Sequence, residues 1–83
     1  MPTATRSGQR AGRHRRNLDL IALRTNAGLS REMLSFRAGV GRETIRLAES
    51  GFVPTVRVQF AIAQALGKQP LDLWPIETQK AAR

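Results

Sequence analysis

The sequence has no cysteine and only one histidine among its 83 residues. The absence of cysteine excludes disulfide frameworks, thiolate metal sites and cysteine nucleophiles. Long apolar runs are also absent: no stretch approaches the length that crosses a membrane, and no apolar segment typical of a signal peptide follows the basic N-terminus. The sequence therefore predicts a soluble cytoplasmic protein with room for one domain and a tail.

Acidic residues are scarce. The chain has 14 Lys and Arg against 6 Asp and Glu, which gives a net charge of +8 and an isoelectric point near 11.9. A small domain this basic is expected to bind a polyanion, and nucleic acid is the commonest one. A membrane surface is the competing polyanion, but the most basic segment has almost no large apolar residues with which to enter a bilayer.

The N-terminal residues 1–16, MPTATRSGQRAGRHRR, differ in composition from the rest of the chain. They contain five arginines, the histidine His14 and no acid, and their only large apolar residue is Met1. Such a segment buries too little surface to offset the entropy of ordering, so we expect it to be disordered when free. It is either a solvated tail or an arm that binds DNA phosphates or a minor groove. The arginines of this arm are Arg6, Arg10, Arg13, Arg15 and Arg16.

Residues 17–76 have the capping residues and apolar periodicity of five short helices. Asn17 and Ser30 are good N-caps for the first two helices, and glycines end the first four. The third helix is predicted over residues 41–50 and the fourth over 55–66, while QPLDLWP predicts a short fifth helix. No segment alternates like a strand, so the fold class is all-α, followed by a frayed tail over 77–83.

The stretch AGVGRETIRLAES, residues 38–50, contains the turn between the second and third predicted helices. A turn of about three residues forces a steep crossing of the two helices, the helix-turn-helix arrangement. With the helical period, Thr44, Ile45 and Ala48 fall on the core side of the third helix. The opposite side carries Arg42, Glu43, Arg46, Leu47 and Ser50. Arginine pairs with guanine, glutamate accepts from cytosine and apolar groups touch the thymine methyl, so this side is either a DNA-reading surface or an ordinary solvated face.

Five short pieces of the sequence occur in an order and spacing that resemble one known family. They are LIALRTNAGLS, AGVGRETIRLAESG, the proline at position 54, IAQALG and PLDLW, and together they extend from Leu20 to Trp74. In this order they resemble the Cro/repressor helix-turn-helix regulators, also called the xenobiotic-response-element type. The resemblance implies a five-helix, lambda-repressor-like domain that binds double-stranded DNA with one helix in the major groove.

The resemblance also implies a role for each matching position. Arg24 and Glu49 correspond to a structural ion pair between the first and third helices. Contacts to the DNA backbone are expected from Ser30, Arg31 and Arg57. Base readout is expected from Arg42, Glu43, Thr44, Arg46 and Leu47. Arg42, Glu43 and Arg46 are the favoured readers, whereas Leu47 is also placed to pack beneath the arm.

Departures from the family pattern concern packing. Ala48 stands where the family has a larger apolar residue, and Gln59 stands at a usually apolar position. If the fourth helix is rotated, Val58 or Phe60 fills the space that Gln59 leaves. Such a rotation would alter the packing around the fourth helix without changing the helix-turn-helix motif.

Three large apolar residues have open roles. Met33 and Phe36 lie three residues apart on one helical face, at positions that are usually polar in the family. They either help to cover a core thinned by small alanines or form an exposed patch that binds a protein partner. Trp74 is expected in the core, with an edge at a dimer interface.

The favoured function is a sequence-specific transcription regulator, most simply a Cro-like or compact phage immunity repressor that blocks polymerase at a DNA operator. The chain is short for a separate ligand-sensing domain, and a homodimer would bind two half-sites. The alternatives are an antitoxin-type protein-interaction module that also regulates its own gene, and a nonspecific nucleoid-type DNA binder. An enzyme is not expected, because the acids are scattered and no phosphate-loop or metal-ligand pattern occurs. No cofactor, metal, small-molecule ligand or membrane contact is expected.

Overall fold

The computed structural model describes residues 16–81, except for the side chains of Lys80 and Ala81. Over that range the chain forms five α-helices and one 3₁₀ helix, with no strand. The α-helices are α1 (Leu18–Asn26), α2 (Arg31–Ala38), α3 (Arg42–Ser50), α4 (Val56–Ala65) and α5 (Pro70–Leu73), and the 3₁₀ helix covers Ile76–Ala81. The expected all-α fold with five helices is confirmed.

Asn17 fixes the beginning of α1 and ties it to two other helices. Its side-chain oxygen accepts a hydrogen bond from the Leu20 N–H at 3.0 Å, which caps the helix. Its side-chain amide donates to the carbonyl of Leu73 at 3.0 Å, and its backbone N–H donates to the carbonyl of Glu49 at 2.9 Å. One residue therefore joins the start of α1 to the last turn of α3 and the end of α5.

The turn between α2 and α3 depends on a glycine. Gly39 has a φ of 72°, in the left-handed region that glycine adopts without steric cost. The N–H groups of Gly39 and Val40 both donate to the carbonyl of Ser35, at 2.9 and 3.1 Å, and so close the last turn of α2. Gly41, at the start of α3, has an ordinary φ of −68°. Only the first glycine of this turn is therefore required by the backbone.

Apolar side chains from all five α-helices, from the loop after α1 and from Trp74 after α5 meet in a single small core. The buried apolar residues are Leu20, Leu29, Leu34, Ile45, Ala48, Ile62, Ala63, Leu73 and Trp74. Ser35 of α2 is also buried and donates from Oγ to the carbonyl of Glu32 at 2.9 Å. Because Ile45 and Ala48 are fully covered, the orientation of α3 about its own axis is set by the core.

Gln59 is itself a buried residue, so α4 is not rotated in the way considered from the sequence. It is 1% exposed, whereas Phe60 is 57% exposed. The Gln59 Nε2 group donates to the carbonyl of Pro54 at 2.8 Å and to Gln79 Oε1 at 3.0 Å, and Gln79 Nε2 donates back to Gln59 Oε1 at 3.0 Å. A buried amide of this kind needs hydrogen-bond partners, and here it has them.

Residues 76–81 differ from the frayed tail expected over 77–83. They form the 3₁₀ helix, and Gln79 donates both to Gln59 and to the carbonyl of Trp74, the latter at 2.7 Å. The hydrogen bonds between Gln79 and the buried amide of Gln59 join this segment to α4. Residues 82–83 lie outside the described range.

Trp74 also needs a correction. The side chain is 2% exposed, which agrees with its expected place in the core but leaves no edge for a dimer interface. Within residues 16–81, no helix has both the length and the apolar character needed to cross a membrane.

Candidate nucleic-acid interface

Helix α3 presents three charged side chains on its exposed side. Ile45, Ala48 and Glu49 are buried against the rest of the domain. The side chains of Arg42, Glu43 and Arg46 are 68, 66 and 49% exposed. Two of these are long donors and one is an acceptor, so the exposed surface of α3 has the hydrogen-bonding groups that base edges require.

Glu43 and Arg46 bind each other at two points. Arg46 Nε donates to Glu43 Oε1 at 2.9 Å, and Arg46 Nη2 donates to Glu43 Oε2 at 2.5 Å. These hydrogen bonds lower the pKa of the Glu43 carboxyl and raise the pKa of the Arg46 guanidinium. Because the carboxyl pKa is lowered, both groups are charged at neutral pH, and the ion pair is lost as the pH falls through that lowered value.

Arg42 is held much more loosely. Its Nη1 atom lies 3.8 Å from Glu32 Oε1, beyond hydrogen-bonding distance, and both side chains are largely exposed. An exposed ion pair of this kind contributes little stability. Arg42 is therefore free to turn toward a ligand beside α3.

Thr44 and Leu47 occupy a different environment from the charged residues. Both are half-buried and line an open apolar groove of about 350 Å³ between α3 and the start of α4. Ala48, Pro54 and Val58 line the same groove. Leu47 thus lies at the margin between the exposed side of α3 and the apolar surface next to it.

Glu49 joins three helices through two arginines. Arg24 Nε in α1 lies 2.5 Å from Glu49 Oε2, and Arg31 Nε in α2 lies 3.0 Å from Glu49 Oε1. Arg24 also donates from Nη1 to the carbonyl of Leu29 at 2.7 Å. The carboxylate is 2% exposed, so these partners compensate for its burial.

The contact between Arg31 and Glu49 was not predicted from the sequence. Arg31 was expected at the DNA backbone, and the family resemblance paired Glu49 with Arg24 alone. The Arg31 side chain is 48% exposed, so it reaches both the buried carboxylate and the surface. The signal available in the sequence was the arginine itself.

Ser30 and Arg57 lie at helix N-termini. Ser30 caps α2 by accepting a hydrogen bond from the Met33 N–H at 3.0 Å. Arg57 is the second residue of α4 and is exposed. Of the arm residues, the exposed Arg16 is described, whereas Arg6, Arg10, Arg13 and Arg15 lie outside the described range.

Two groups of exposed apolar residues lie away from the charged side of α3. Met33 and Phe36 in α2 are 49 and 87% exposed, so Phe36 does not cover the core. Val56, Phe60 and Leu71 are each more than half exposed and line one groove of about 510 Å³ between α4 and α5. The second group was not recognised in the sequence, because it comes from two helices that are brought together only by the fold.

Comparison with known protein families identifies the family to which this fold belongs. A model of the helix-turn-helix family matches residues 20–73. The chain belongs to this family. It is a DNA-binding transcription regulator of the xenobiotic-response-element type. Searches of curated proteins and of solved structures returned no match.

The family match covers the central part of this helix-turn-helix protein's sequence but not the residues that flank it. The turn at Gly39, the buried Glu49 and the exposed side of α3 all lie within residues 20–73. Asn17 and Gln79, which secure the beginning of α1 and the 3₁₀ helix, lie outside them. The matched region therefore contains the DNA-binding motif, and residues on either side of it add their own contacts.

Proposed function

We propose that this protein is a repressor of the Cro or compact phage-immunity kind, which binds a specific operator in double-stranded DNA and blocks polymerase there. The observation that carries the proposal is the exposed trio of Arg42, Glu43 and Arg46 on α3, directly after the glycine turn that follows α2. In this arrangement α3 enters the major groove and the trio faces base edges, with Thr44 and Leu47 beside it.

Backbone contacts from Ser30, Arg31 and Arg57 complete the proposed interface. The N-terminus of α2, where Ser30 caps the helix, suits an anion because its N–H groups and dipole favour negative charge. Arg31 uses Nε for Glu49, which leaves its terminal nitrogens for a phosphate. Arg57 is exposed, and no carboxylate of the described residues forms an ion pair with it.

The basic arm is proposed to extend the contact to phosphates or to a minor groove. Its exit from the domain is fixed by Asn17, whose N–H donates to the carbonyl of Glu49 in the last turn of α3. The arm therefore begins beside the proposed recognition helix. This supports an arm that follows the same stretch of DNA.

We propose that two copies bind adjacent half-sites as a homodimer. The exposed apolar group of Val56, Phe60 and Leu71 supports a contact between copies, because clustered apolar side chains on a surface mark interaction sites. Met33 and Phe36 are the second proposed protein contact. The protein would act in the cytoplasm of its bacterial host, at the nucleoid, without a catalytic activity of its own.

In vitro selection from random DNA tests the proposed function. A motif with two-fold symmetry and half-sites about 10 base pairs apart is the expected result for a dimer. An asymmetric motif would indicate a monomer. Failure to enrich any motif, together with strongly salt-dependent binding to all sequences, would instead identify a nonspecific DNA binder.

Charge reversal on α3 then tests whether this helix reads the operator. The double variant Arg42→Glu and Arg46→Glu is expected to lose operator binding, because both changes place negative charge on the proposed base-reading surface. The matched control is Arg37→Glu with Lys68→Glu, which makes the same change in net charge at exposed positions outside α3. Normal operator binding by the first variant would show that α3 does not read the DNA.

A further inference from the structure

Arg46 holds Glu43 along only one edge of its guanidinium group. Its Nε and Nη2 atoms donate to the two carboxylate oxygens at 2.9 and 2.5 Å. A guanidinium carries five N–H donors in a fixed plane, so two on Nη1 and one on Nη2 remain. The pair therefore leaves the outer edge of Arg46 available to a ligand.

The remaining edge has the geometry of a guanine contact. Two adjacent N–H groups in one plane suit the O6 and N7 acceptors of guanine in the major groove. Glu43 does not compete for these groups, and it fixes the plane in which they lie. Because ordering a flexible side chain opposes binding, an arginine that is oriented beforehand discriminates better than a free one.

Glu43 has both carboxylate oxygens engaged by Arg46. One lone pair on each oxygen remains, but the two bonds hold the carboxylate toward Arg46, and turning it toward a cytosine would cost bonds to a charged donor, which are stronger than bonds to a neutral amine. Together the two residues carry no net charge, so the pair adds little general attraction to DNA and acts mainly on the choice of base.

We propose that Glu43 is a positioning residue, which presents the outer edge of Arg46 to a guanine in each half-site and does not read a base itself. This inference rests on the proposed function, since it names the recognition made by the same helix. Arg42 differs from Arg46 in this respect, because its acidic neighbour Glu32 lies 3.8 Å away and does not fix it.

The test begins with the DNA motif selected by the wild-type protein. Dissociation constants are measured for the selected operator and for operators changed at one base pair at a time, which gives a discrimination profile. Arg46→Ala is expected to lose discrimination at one guanine by roughly 5- to 100-fold. Glu43→Ala is expected to lose roughly two- to tenfold at that same guanine, with no loss elsewhere.

A double variant separates positioning from direct readout. In the Arg46→Ala background, Glu43→Ala is expected to change no position of the profile, because Glu43 acts only through Arg46. Glu32→Ala is the matched control: it removes an acid beside the other arginine of α3 and should leave the profile unchanged. Thermal unfolding of Glu43→Ala should match that of the wild type, since the pair is exposed.

Three results would overturn the inference. Glu43→Ala could alter discrimination at a base pair other than the one Arg46 reads, or its effect could persist in the Arg46→Ala background; either result would make Glu43 a base reader. An unchanged profile in Glu43→Ala would show that the ion pair has no effect on base discrimination. If the wild type selects no motif at all, the proposed function itself fails, which is a different result from these three.

Discussion

Glu49 is a buried carboxylate whose charge is compensated by Arg24 and Arg31. In Glu49→Ala, the Arg24 side chain, which is only 13% exposed, loses its carboxylate partner. We expect a loss of about 3–5 kcal/mol in the free energy of unfolding. Such a loss approaches the whole stability of a small domain, so urea unfolding followed by circular dichroism should show a largely unfolded variant.

The two arginine partners of Glu49 provide the internal comparison. Arg31→Ala should lower the free energy of unfolding by less than about 1 kcal/mol, because Arg31 is half-exposed and water replaces its contact. Arg24→Ala should be several times more damaging. Equal losses for the two variants would argue against a network centred on Arg24 and Glu49.

Gly39 and Gly41 form a second comparison between single residues. Gly39→Ala places a side chain at a φ of 72°, and we expect it to destabilise the protein by about 1–2 kcal/mol. Gly41→Ser should stabilise it by a few tenths of a kcal/mol, because serine caps α3 and its Cβ would meet Thr44 Oγ1 at an ordinary 3.7 Å. Thermal unfolding resolves the two, since 1 kcal/mol shifts Tm by about 4–8 °C in a domain of this size. Similar shifts would mean that the turn does not depend on Gly39.

Among the secondary-structure elements, the 3₁₀ helix Ile76–Ala81 is joined to the domain by the amide pair of the half-buried Gln79 and the buried Gln59. Gln79→Ala leaves Gln59 without a partner for its side-chain oxygen, and we expect a loss of about 1–3 kcal/mol. The double variant Gln59→Leu with Gln79→Leu should be closer to the wild type than Gln79→Ala, because it removes both side-chain amides together and leaves only the carbonyls of Pro54 and Trp74 without their donors. Urea unfolding distinguishes them. A double variant as unstable as Gln79→Ala would assign the loss to packing or to the two carbonyls and not to the unsatisfied amide of Gln59.

The helices could be predicted from local signals, whereas the contacts that join them could not. Asn17, Ser30 and the glycine after α2 mark helix ends through short-range chemistry, and the structure has those ends in place. Gln59 and Gln79 are 20 residues apart, and no sequence pattern near either residue predicts their contact. The sequence therefore left Gln59 as an anomaly and the residues after Pro75 as a tail.

The same distinction applies to the candidate interface. Helical periodicity alone put Arg42, Glu43 and Arg46 on the side of α3 away from the core, and the core does cover Ile45 and Ala48. The two-point contact between Glu43 and Arg46 depends on side-chain conformations that periodicity does not determine. The exposed group of Val56, Phe60 and Leu71 depends on how α4 meets α5, which is a property of the tertiary structure.

Over the whole molecule, net positive charge is concentrated at the ends of the chain. Residues 16–81 contain nine of the 14 Lys and Arg and all six acidic residues. Within the domain, Glu43 and Glu49 neutralise part of the arginine charge around α3. The domain is thus only mildly basic, and most of the long-range attraction to a polyanion must come from the arm and the chain ends.

Deletion of residues 1–16 should therefore change DNA binding more than it changes folding. Each phosphate contact contributes about 0.9 to the slope of log affinity against log salt, so removing five arginines should reduce that slope by up to about 4 to 5 units and weaken binding at low salt. Stability should be unaffected, because Asn17 and its three hydrogen bonds remain. Changing the five arginines to lysine keeps the charge and should keep the slope, whereas changing them to glutamine should reproduce the deletion. Binding measured between low and physiological salt gives the slope for each variant, and an unchanged slope in the deletion would show that the arm does not touch phosphate.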